Sequence, residues 1–84
     1  MNTLAERQID DTLLAIDRQR DGSFAFITRA DTAEVSIPFD RVNCTTRVIE
    51  FFHNGQISAT IENHSADWGS VGAWINAEAA EANA

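Results

Sequence analysis

The sequence predicts a predominantly β domain of five short strands, near residues 12–19, 23–29, 34–39, 56–62 and 70–76. Two observations predict it. Short runs alternate apolar with polar residues and are rich in aromatic and β-branched side chains, the pattern of half-buried strands. Asp21-Gly22 and Asn54-Gly55 are the dipeptides that two-residue hairpin turns favour. The alternative is an α+β fold, an antiparallel sheet with N- and C-terminal helices.

Taken in order, Thr3-x-x-Glu6 has the form of a capping box, so residues 1–11 read as an extension carrying a short helix over about 4–11. Residues 12–19 admit two readings. Leu4, Ile9, Leu13 and Ile16 form a helical stripe that would extend that helix to about residue 20. A strand turning through Arg20-Asp21-Gly22 is the favoured reading. Residues 23–29 and 34–39 pair as a hairpin across Ala30-Asp31-Thr32-Ala33, in one of two registers. In the first, Arg29 faces Glu34, Phe26 faces Ile37 and Phe24 faces Phe39, so the large apolar residues share one buried face. In the second, Ile27 faces Val35 and Ala25 faces Ile37, leaving Phe24 and Phe26 exposed beside Ser36 and Pro38. A one-residue slip exchanges the two faces of a strand. Local burial favours the first register, and closure by further strands would permit the second.

Beyond the hairpin, Arg47-Val48-Ile49-Glu50-Phe51-Phe52 reads either as a hairpin partner or as a short helical turn. Residues 56–62 alternate cleanly, with Ile57, Ala59 and Ile61 expected inward. Gly69 and Gly72 each disfavour a helix by about 1 kcal/mol, so a final strand ending at Trp74-Ile75 is expected. Residues 12–77 form the domain in this reading, and 78–84 an acidic tail that frays.

With 84 residues the chain makes one small domain, burying about 60–65% of its unfolded surface. No apolar run approaches the roughly 18 residues of a membrane span. The first residues lack a basic head followed by an apolar stretch, so a cytoplasmic location is expected. One cysteine, Cys44, leaves no internal disulfide and no multi-cysteine metal site. Thirteen acids face six arginines and no lysine, for a net charge of −7. The arginines Arg7, Arg18, Arg20, Arg29, Arg41 and Arg47 all lie in the first 47 residues, and Glu50, Glu62, Asp67, Glu78 and Glu81 follow without a basic residue. Any basic face must come from the N-terminal half, and the whole repels a phosphate backbone.

Gly22-Ser23-Phe24-Ala25-Phe26-Ile27 and Val35-Ser36-Ile37-Pro38-Phe39 resemble the two nucleic-acid-binding motifs of the cold-shock domain. Gly55-Gln56 and Gly69 match further glycine positions of that family, over about residues 12–77. The resemblance implies a five-stranded OB-like barrel, on which Phe24, Phe26 and Phe39 stack on single-stranded RNA or DNA with Arg18, Arg20 and Arg29 near their edges. Stacking is worth about 1–3 kcal/mol per base. Ser36 stands where the second motif has an aromatic, Pro38 where it has histidine, and Ile16 or Asp17 near the first-strand tryptophan; the family's lysines are absent. Binding of the family's kind is therefore expected to be weak.

The alternative function is an acidic protein-binding module with a partner of basic surface, including a nucleic-acid mimic that inhibits a DNA- or RNA-handling enzyme, as small phage-encoded inhibitors do. An enzyme is not expected. No phosphate loop, zinc spacing, dinucleotide fingerprint or nucleophile elbow occurs, so no cofactor is expected. His53 and His64 each sit beside a turn signal and read as exposed polar residues. Trp68 and Trp74 read as core residues rather than ligand platforms.

Overall fold

The computed structural model describes residues 2–31, 33–45, 47–62 and 70–83. Seven strands and one helix follow in order: β1 (Asn2–Ile9), β2 (Thr12–Arg18), β3 (Phe24–Ala30), β4 (Ala33–Phe39), β5 (Arg41–Cys44), β6 (Val48–His53), β7 (Gln56–Glu62) and α1 (Val71–Ala82). The chain is mostly β. Its strands form two antiparallel sheets, β1-β2-β3-β4 and β5-β6-β7. A five-stranded barrel is expected from the sequence, but no closed barrel is found among the described residues. His64, Trp68 and Gly69 lie outside the described residues.

The strands expected at 12–19, 23–29, 34–39 and 56–62 are present as β2, β3, β4 and β7. Residues 2–9 are neither a helix nor an extension. They form β1, paired along β2 with a bulge between Thr3 and Ala5. A helix of about eight residues is marginal by itself, whereas a strand there satisfies the backbone groups of β2's free edge. Asp10, at φ 52°, takes the left-handed conformation that closes the tight turn, which aspartate tolerates better than most residues. Asn54 and Gly55, at φ 55° and 81°, make the expected Asn-Gly turn between β6 and β7.

The C-terminal segment also differs from expectation: it is a helix, not a strand followed by a fraying tail. Val71 and Ile75, four residues apart, are fully buried, and Trp74, Ala79 and Ala82 pack against the same core. Gly72 is retained for space. A Cβ there would stand 2.2 Å from Cys44 Sγ and 3.3 Å from Ile49 Cγ1. The helix-propensity penalty of one glycine is smaller than the gain from docking this face, and the Ala-Glu run that follows favours helix.

Asp40 is the crossing point between the sheets. Its amide donates to Phe52 O at 2.8 Å, and its carboxylate accepts from Asn54 N at 2.9 Å. The facing sides of the sheets enclose Phe24, Phe26, Phe39 and Phe51, with ring centroids 5.3–5.6 Å apart, a spacing at which aromatic pairs add about 0.5–1.5 kcal/mol each beyond burial. A bulge between Phe51 and Phe52 changes the parity of β7. Ile57 therefore pairs with Phe52 and is 54% exposed rather than inward, while Ala59 and Ile61 pack on the core.

Candidate functional site

The register of β3 on β4 decides which residues any ligand can meet. Phe24 pairs with Phe39, Phe26 with Ile37 and Arg29 with Glu34, the first of the two registers. Phe24, Phe26 and Phe39 are at most 1% exposed. The rings expected to stack on bases are thus part of the core and present no face to solvent. The physical reason is the second sheet: with Phe51 available opposite, three large rings gain more from burial than from an exposed position.

The other face of the four-stranded sheet follows from the same register. Across β2, β3 and β4 it carries the rows Asp17–Ala25–Pro38, Ala15–Ile27–Ser36 and Leu13–Arg29–Glu34. Small residues in the middle rows leave a depression. Ala15, Ala25 and Ile27 form a small buried cluster of their own. A groove of about 740 Å³ lies over this face, with Asp17, Ala25 and Ile27 among its lining, Ser36, Pro38, Arg29 and Glu34 on one side, and Arg20, Asp21, Ser23 and His53 toward one end.

The predicted site residues divide between the two faces. Arg20 and Arg29 line the groove. Arg18 points to the opposite side, where its guanidinium lies 5.1 Å from the Phe24 ring centroid and Nη1 donates to the Ala82 carbonyl at 3.2 Å. The remaining arginines are scattered. Arg7 lies over Trp74 and Arg41 over Phe52, and Arg47 is in the β5–β6 connection. No basic strip tracks the sheet, so the expected assembly of Phe24, Phe26, Phe39, Arg18, Arg20 and Arg29 into one surface does not occur.

Three carboxylates, Asp17, Asp21 and Glu34, line the groove beside two arginines, Arg20 and Arg29. Arg29 is ion-paired with Glu34 through Nε; that hydrogen bond and charge, with further attraction from Asp17 and Glu6, raise its pKa above the ordinary value. Asp21 Oδ1 accepts from Ser23 Oγ at 2.6 Å and Ser23 N at 2.9 Å. These bonds hold the Asp21 carboxyl below its usual range, with a smaller contribution from His53. Asp17 is different. It is only 6% exposed, and its Oδ1 is sealed from solvent with no hydrogen-bond partner. The sequence places Asp17 or Ile16 near the resembling family's first-strand tryptophan, but does not mark Asp17 as a site residue. The available signal was an acid closing the otherwise apolar run Leu13-Leu14-Ala15-Ile16, at the parity that faces away from Leu14 and Ile16.

Cys44 is surface-exposed as a residue, and burial of its thiol against α1 pushes the pKa up. His53 is half-buried at the end of β6. Among the described residues no group of three or more His, Cys, Asp or Glu side chains is placed to hold a metal ion, and no helix is long and apolar enough to cross a membrane. Comparison with protein-family models, curated proteins and solved structures finds no match for this chain.

Proposed function

We propose that the chain is an acidic protein-binding module that engages a basic protein surface through the outer face of its four-stranded sheet. One observation carries the reading: that face has a groove where Asp17, Asp21 and Glu34 stand among small residues, with Arg20 and the Glu34-paired Arg29 beside them, while Phe24, Phe26 and Phe39 lie in the core. Base stacking needs exposed rings, and phosphate tracking needs cations free to release counterions. Here Arg29 is paired with Glu34 and Arg18 is engaged on the opposite side, and Arg20 by itself makes no track. The net charge of −7 supports attraction to a basic partner. A basic groove that handles nucleic acid is one partner of this kind, and inhibition by mimicry is the corresponding activity.

Anisotropy titrations with two labelled probes test the reading: an arginine-rich peptide and oligo-dT, at matched ionic strength. The peptide is expected to bind, more weakly as salt rises because the charges are screened over about 8–10 Å near physiological ionic strength. Oligo-dT is expected not to bind. Tighter binding of oligo-dT than of the peptide would overturn the proposal in favour of a single-strand-binding module.

A further inference from the structure

We infer that the groove is an anchor pocket for one cationic side chain, arginine or lysine, presented by the protein partner, with Asp17 as its counter-ion. The inference rests on the protein-binding reading and narrows it to one contact. A carboxylate oxygen sealed from water without a donor is costly, and an apolar residue in its place would serve stability better. None of the three nearby arginines bonds to Oδ1, Arg20 on the groove lining included. Arg18, the next residue, turns to the other side of the sheet and donates to Ala82 O, and Arg29 Nε is committed to Glu34. A donor brought by a partner would serve this carboxylate, which meets the groove through the small part of its surface that stays exposed.

The surroundings select the chemistry of that donor. Ala25 and Pro38 lie on the cross-strand row of Asp17, and Ile27 lies in the next row. They give an apolar floor on which an alkyl stem can rest while its charged tip reaches the carboxylate. Asp21 adds negative charge toward one end of the groove, where Arg20 also stands, and the Arg29–Glu34 pair lies on its side. A phosphate would meet the unpaired Asp17 and be repelled; a guanidinium or ammonium group would form a charge-assisted hydrogen bond with it.

The test is a ¹⁵N–¹H NMR titration of the full chain with a short peptide holding one central arginine, and with versions holding lysine or citrulline there. Amide shifts concentrated on Asp17, Ala25 and Ile27, with binding weakened about tenfold to a hundredfold by citrulline, are expected, the loss typical of a hydrogen bond to a charged group. The arginine and lysine arms show which cation the pocket takes. Asp17→Asn should produce a similar loss, whereas Glu81→Gln on α1 should change affinity by no more than about twofold, as expected for a distant, screened charge. Should Asp17→Asn fail to fold, the wild-type shift map and the citrulline comparison decide by themselves. Peptide binding with shifts scattered over exposed carboxylates, and no effect of citrulline or Asp17→Asn, would overturn the pocket and leave the acidic module standing. Absence of binding by every peptide would overturn both.

Discussion

Truncating Phe26 separates a core residue from a ligand platform more sharply than any other single change. The ring is fully buried, pairs across strands with Ile16 and Ile37, and stacks on Phe51 at 5.3 Å. Removing a ring from such a site costs about 3–5 kcal/mol, through lost transfer free energy and the cavity left behind. For 84 residues, typical stability is about 4–13 kcal/mol, so Phe26→Ala removes a large share of it. At about 4–8 °C per kcal/mol, the melting temperature falls by roughly 12–40 °C, measured by circular dichroism. Phe26→Leu, which keeps most of the apolar volume, should lose only about 1–2 kcal/mol. A Phe26→Ala protein that melts with the wild type while losing a nucleic-acid affinity the wild type possesses would refute the core assignment and restore the exposed register.

Gly72 and Cys44 should behave as a coupled pair. Gly72→Ala is expected to destabilise by about 1–2 kcal/mol, because overpacking exceeds the roughly 1 kcal/mol gained in helix propensity; in a Cys44→Ala background the penalty should shrink or change sign, which a double-mutant cycle of denaturant midpoints measures. Asp21 contributes stability above its ordinary pKa and loses that contribution as pH falls through its depressed folded-state value. Ser23→Ala should move the Asp21 titration, followed by NMR, upward toward the ordinary range; an unchanged titration would refute the assignment of the shift to the Ser23 hydrogen bonds.

What the sequence determined by itself was local: β2, β3, β4 and β7, the Asn54-Gly55 turn, and the pairing Phe24–Phe39, Phe26–Ile37, Arg29–Glu34 as the register that local burial favours. These follow from two-residue periodicity, turn stereochemistry and the drive to put large apolar residues on one face. Tertiary structure decided the rest. β1 has good helix formers and a capping-box pattern, yet its backbone pairs along the edge of β2. The segment beginning at Val71 has a glycine in its first turn, yet Gly72 allows α1 to approach Cys44 and Ile49 closely enough to bury Val71 and Ile75. β5, four residues long, carries too little pattern to be read before the crossing at Asp40 is known. The candidate site was divided in the same way. The arginines were visible in the sequence, but the side of the sheet each occupies depends on register and on the packing of two sheets. Asp17 became a candidate only when that packing placed its carboxylate on the outer face with Oδ1 left without a donor among the described residues, because satisfaction of a buried charge is set by residues far away in sequence.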